Sequence, residues 1–139
     1  MPRHEHAEHT FTAVPESVAA ARSFTSRTLE SWELTRRADD IRLCVSELAS
    51  NAVEHGTHAL GGRGAFLVRI DADDSHVRVE VEDDDPLTTP CLNRSDKGDT
   101  GGRGMMIVAS LATAWGFETC ALTGKAVWSE FLTSPTAAS

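Results

Sequence analysis

Residues 43–55 read Leu43-Cys44-Val45-Ser46-Glu47-Leu48-Ala49-Ser50-Asn51-Ala52-Val53-Glu54-His55, and the periodicity of this stretch decides the fold. At about 100° per residue, Ile41, Val45, Leu48 and Ala52 fall within about 60° of one another, an apolar stripe that must lie against a core. Glu47, Asn51 and His55 stand at i, i+4 and i+8 along one flank of that stripe. A carboxylate, an amide oxygen and an imidazole therefore line the rim of whatever cavity the helix borders. The carboxylate can act as a general base, and the amide oxygen suits a hard cation such as magnesium. A solvated amphipathic face would show the same pattern. The helix is predicted from about Arg36 to His55, with Gly56 as its stop.

Working outward, Phe11 to Val14 is predicted as a short strand, and Pro15 with Ser17 marks the entry to a helix running to about Trp32. Downstream of the Gly61-Gly62-Arg63-Gly64 turn, Ala65 to Asp71 and His76 to Glu82 alternate apolar with polar residues. They form an antiparallel hairpin about Ala72-Asp73-Asp74-Ser75. Asp83 to Gly102 is a long loop rich in Asp, Pro, Thr and Gly, of a length usual for functional segments. Met105 to Ala112 is predicted as a helix, and Trp115 to Leu122 with Lys125 to Thr133 as a hairpin closing across Thr123-Gly124. This order predicts an α/β (α+β) two-layer sandwich, its mixed sheet covered on one face by helices. The open face then requires polar residues or a partner.

Residues 10–133 are expected to form a single domain, between a tail at 1–9 and a short tail at 134–139. The first tail holds His4, His6 and His9. Imidazoles so close can chelate a transition metal, but the surrounding residues read as a solvated chain end. The chain has 139 residues and 13 Lys and Arg against 21 Asp and Glu, a net charge of −8. That balance excludes a broad basic surface for nucleic acid, but not a pocket that holds phosphate with backbone N–H groups. Three cysteines without CxxC spacing fit neither a disulfide framework nor a zinc site and are expected to be reduced. The run Met105 to Trp115 is too short to span a membrane, and no secretory pattern precedes it. A cytoplasmic location is expected.

Two further segments carry chemistry. Glu82-Asp83-Asp84-Asp85-Pro86 follows a strand, and an acceptor-only carboxylate at a strand end, Asp83, can take a hydrogen bond from an exocyclic amine. A turn former or a weak cation site would look alike. Gly98-Asp99-Thr100-Gly101-Gly102-Arg103-Gly104 leads into a helix whose N-terminal N–H groups and dipole favour phosphate. It lacks the GxGxxG and GxxxxGK[ST] patterns, which removes the Rossmann and P-loop readings. Arg103 reaches a phosphate oxygen or caps the acidic loop.

Taken in order, ELASNAVEH, VRVEVEDDDP and GDTGGRGMMIV resemble the three nucleotide-binding boxes of the GHKL (Bergerat-fold) ATPases. The resemblance covers roughly Phe11 to Phe131. With Trp115-Gly116-Phe117 and Gly124-Lys125-Ala126-Val127-Trp128, it is nearest to the small actinobacterial proteins of the anti-sigma factor serine kinase type. It implies ATP and Mg2+ as cofactors, with Glu47 as general base and Asn51 as magnesium ligand. Asp83 would bind the adenine amino group, Gly102, Arg103 and Gly104 the phosphates, and His55 would support the site. Asp85 departs from the family, which commonly has glycine there in an Asp-x-Gly pattern, and the resemblance implies that a side chain there would crowd the adenine floor.

The function so implied is a serine/threonine kinase phosphorylating a small anti-sigma antagonist. The alternative is a non-catalytic, ATP-gated module that sequesters a sigma factor or another regulator. The resemblance also implies a homodimer. Direct binding to nucleic acid or membrane is not expected. A sensor histidine kinase is disfavoured, because no segment could supply a dimerising helical pair with its phospho-accepting histidine.

Overall fold

Val77, Val79 and Val81 alternate with His76, Arg78, Glu80 and Glu82, and in a strand such alternation sends every valine to one face. The computed structural model, which describes residues 4–58, 64–83, 100–120 and 124–133, turns this row toward a helical layer. The elements in chain order are β1 (His4–Thr12), α1 (Glu16–Ser31), α2 (Ala38–His58), β2 (Ala65–Asp73), β3 (His76–Asp83), α3 (Thr100–Leu111), β4 (Ala114–Cys120) and β5 (Gly124–Leu132). The strands form one five-stranded sheet in the order β1-β2-β3-β5-β4. Phe66, Val68, Ile70, Val77, Val79, Val81, Val127 and Phe131 face the helices and are buried with Ile41, Val45, Leu48 and Ala52 of α2. The two-layer α+β sandwich read from the element order is the fold.

The sheet is antiparallel at every junction, not mixed. β3 and β4 do run parallel, joined through α3, but β5 returns between them and separates the parallel pair. Position in the sheet, which element order alone does not give, makes the difference.

Three boundaries also need correction. Residues 4–9 are not a solvated tail. β1 starts at His4 and pairs with β2 from His4↔Asp73 to Thr12↔Ala65. Its outward positions carry no apolar signal because ion pairs hold them: His6 Nδ1 lies 2.6 Å from Asp71 Oδ1 and His6 Nε2 lies 3.0 Å from Glu8 Oε1. Helix α2 passes through Gly56 to His58, so that glycine is not its stop. Helix α3 begins at Thr100, and Gly101, Gly102, Arg103 and Gly104, read as loop, form its first turns.

The uncovered sheet face is a lattice of opposite charges. From Asp71, His6 and Glu8 it continues through Arg69 to Glu8 (3.3 Å) and Glu80 (2.6 Å), then through Arg78 to Glu80 (3.5 Å) and Glu130 (3.4 Å). The Arg78 guanidinium also lies 4.4 Å from the Trp128 ring centroid, and the indole covers Gly116, where a Cβ would stand 2.7 Å from Cζ2. Each exposed pair contributes little alone, but together they meet the need of the open face for polar residues.

Helix α1 ends in a Schellman motif, with Leu34 N–H donating to Leu29 O at 2.8 Å and Glu33 N–H to Glu30 O at 3.0 Å. The left-handed position, usually glycine, is Glu33 at φ 59°.

Candidate functional site

The buried row of β3 does not end at Val81. Asp83 continues it, 7% exposed, on the helix-covered face, with Phe66 and Lys125 as its register partners. A carboxylate in that row is costly unless other groups engage it, and Asp83 is engaged.

Arg37 fixes which end of α2 lies over which end of the sheet. Its guanidinium donates to Leu111 O at 2.8 Å and to Leu132 O at 3.4 Å, and lies 5.3 Å from the Phe131 ring centroid. Leu132 pairs with His76, so α2 starts, and α3 ends, over the His76 end of β3. Asp83 marks the other end. Helix α2 packs on β3 and on α3, and at 1.5 Å rise per residue its 21 residues reach past the 8 of β3. The second half of α2 and the N-terminus of α3 therefore lie toward the Asp83 end.

Glu47 and Asn51 are both partly buried on the α2 flank, beside the fully packed Cys44, Val45, Leu48 and Ala52. His55 lies in the last turns of the same helix, its side chain outside the described residues. Gly102, Arg103 and Gly104 are placed by their backbone in the first turns of α3; the Arg103 side chain, like Asp85 and the rest of 84–99, lies outside the described residues. The helix N-terminus required for phosphate is thus present at the Asp83 end. Chemically, the set comprises a carboxylate and an amide oxygen one helical turn apart, a buried acceptor at a strand end, and the N–H groups of a helix start. That donor set fits a nucleotide with a hard cation.

The spacing of motifs did not single out Arg37. It neighbours Asp40, to which its Nε donates at 3.1 Å, and reads in sequence as ordinary first-turn charge; only the fold brings it to the carbonyls of Leu111 and Leu132. Cys44, the described free cysteine, is buried, and burial, aided by the charge of Asp40, pushes its thiol up to about 12. It is a core residue and no nucleophile. Among the described residues no group of His, Cys, Asp and Glu is arranged to hold a metal, and no helix is long and apolar enough to cross a membrane.

A profile of the histidine kinase-like ATPase domain family matches residues 11–128. Among solved structures, the histidine kinase domain of the Erythrobacter litoralis EL346 blue-light activated histidine kinase is similar, with a TM-score of 0.52 and 27% identity. That match covers 69% of this chain and 44% of the other, so the chain spans less than half of the histidine kinase domain it resembles. No curated protein matches.

Proposed function

The chain belongs to the histidine kinase-like ATPase domain family, an ATP-binding and kinase-class fold, and from that premise we propose that it is a regulatory serine/threonine kinase of the anti-sigma type, phosphorylating a small anti-sigma antagonist protein. The observation that carries the proposal is the buried Asp83 at the end of the sheet toward which the second half of α2, with Asn51, and the start of α3 run. When bound, ATP supplies the transferable phosphoryl group and Mg2+ neutralises charge on it.

Asn51 would hold the cation through its amide oxygen, and Asp83 would accept a hydrogen bond from the adenine amino group. The N–H groups in the first turns of α3, with Arg103, would hold phosphate oxygens, and His55 would support the flank. Glu47 would take the proton of the acceptor serine as the serine oxygen bonds to the γ-phosphorus of ATP and ADP leaves. The apolar row behind Asp83 excludes water from its carboxylate, which sharpens selection for a donor at that position.

The test is transfer from labelled ATP and Mg2+ to small antagonist proteins encoded beside this chain. Wild type is expected to label a serine and Glu47→Ala to lose the label while retaining ATP. Equal labelling by both proteins, or none by either, refutes the kinase reading. Asp85, where the family has glycine, favours a second reading as an ATP-gated module that sequesters a sigma factor or another regulator without turnover. Partner affinity that changes with ATP while ATP stays intact would establish that reading.

A further inference from the structure

A spacing that occurs twice builds another surface, on the helical side away from the sheet. Arg22 and Ser26 on α1, and Arg42 and Ser46 on α2, are both Arg-x-x-x-Ser, which sets each pair on one helix face. The helices pack together and the pairs bond reciprocally across the seam. Arg22 Nη1 donates to Ser46 Oγ at 3.1 Å, and Arg42 Nη1 to Ser26 Oγ at 3.2 Å. Each guanidinium is thereby aimed by a neutral hydroxyl that takes one of its five N–H donors and none of its charge.

Both open onto a groove of about 450 Å³, with Arg27 and Glu30 also on its wall. Three arginines thus meet one glutamate, in a chain of net charge −8. A second acid, Asp39, lies 2.7 Å from Arg42 Nη2, with its side chain 90% exposed. Converging guanidinium charges are relieved by an anion. Because Arg22 lies across from Ser46 and Arg42 across from Ser26, the two arginines are offset along the seam by one turn, about 6 Å at four residues. Carboxylates at i and i+4 on a partner helix carry the same axial offset of one turn.

We propose that this groove docks an acidic helical segment of a protein partner, its carboxylates forking onto Arg22 and Arg42. A nucleic acid strand fits less well, since Glu30 and Asp39 flank the arginines and oppose a continuous run of phosphates.

Fluorescence anisotropy with a labelled peptide of four Glu-Ala-Ala-Ala repeats, at low salt, tests the proposal on the full chain. Wild type is expected to bind, and the double variant Arg22→Gln with Arg42→Gln to bind roughly tenfold more weakly. Should that variant unfold, Asp39→Asn decides, because releasing Arg42 raises peptide affinity about threefold. Equal affinity of wild type with every folded variant overturns the proposal. So does tighter binding of single-stranded oligothymidine or of inorganic phosphate than of the peptide. Nucleotide affinity, read in parallel, stays unchanged, so the outcome is separable from that of the kinase assay.

Discussion

Replacing Arg37 by methionine keeps the apolar stem and removes the guanidinium that joins α2 to the ends of α3 and β5. The bond to Leu111 O, at 2.8 Å from a side chain 28% exposed, accepts at the carbonyl end of a helix. A charged donor there contributes about 1.5–3 kcal/mol. The 3.4 Å contact with Leu132 O is long and adds little. The Asp40 pair, at i,i+3 and partly exposed, adds about 0.3–0.5 kcal/mol, and the Phe131 face about 0.5–1 kcal/mol. Discounted for exposure and non-additivity, the loss is about 2–3 kcal/mol, or a fall in Tm of roughly 6–15 °C for a domain of this size. Differential scanning calorimetry with Arg36→Met as control measures it, since Arg36 is exposed. ATP affinity should fall as well, because α3 loses the anchor that fixes where its N-terminus lies. A Tm within 2 °C of wild type, or equal losses in both variants, refutes this account of how α3 is positioned.

Three further outcomes follow from other residues. Ser129 Oγ is buried without a hydrogen-bond partner among the described residues, so Ser129→Ala should raise stability by about 1 kcal/mol in urea unfolding, because an unsatisfied buried hydroxyl costs about 1–3 kcal/mol. Glu33 at φ 59° occupies a position that glycine adopts freely, and Glu33→Gly should stabilise by about 0.5–1 kcal/mol net of chain entropy, seen as a rise in Tm. Hydrogen bonds that the protonated His6 ring donates to the carboxylates of Asp71 first, then Glu8, raise its pKa above its ordinary 6.5. A raised histidine pKa stabilises fully below 6.5 and loses that contribution as pH rises through the folded value. An NMR titration should place the His6 midpoint above 6.5 in wild type and bring it back toward 6.5 in Asp71→Asn.

What could be read from the residues alone follows the strength of local pattern. The stripe of Ile41, Val45, Leu48 and Ala52 was legible because four apolar side chains at helical spacing have one physical outcome, burial on a common side. The strand-end placement of Asp83 was legible too, and its inward aim lay in the same alternation, one step past Val81. The first half of β1 was not: His4, Glu5, His6 and Glu8 look like a solvated end until Asp71 and Arg69, some 60 residues away, supply partners for His6 and Glu8. The start of α3 was hidden by glycines, whose low helix propensity is overridden by packing against α2. The antiparallel sheet depended on where β5 lands, a long-range fact with no local signal.

That landing place has a consequence for synthesis. β5 follows every other described strand in the chain, yet it lies between β3 and β4, with His76 paired to Leu132 and Asp83 to Lys125. Until residues 124–132 have been translated, β4 has no neighbour in the sheet and β3 presents an unpaired edge, the arrangement most prone to wrong pairing. The sheet can close over the Asp83 end only after β5 has emerged, so nascent chains stopped short of β5 should neither retain nucleotide nor escape recognition by chaperones. Nucleotide competence is thus tied to the arrival of β5, and shorter nascent chains stay without it.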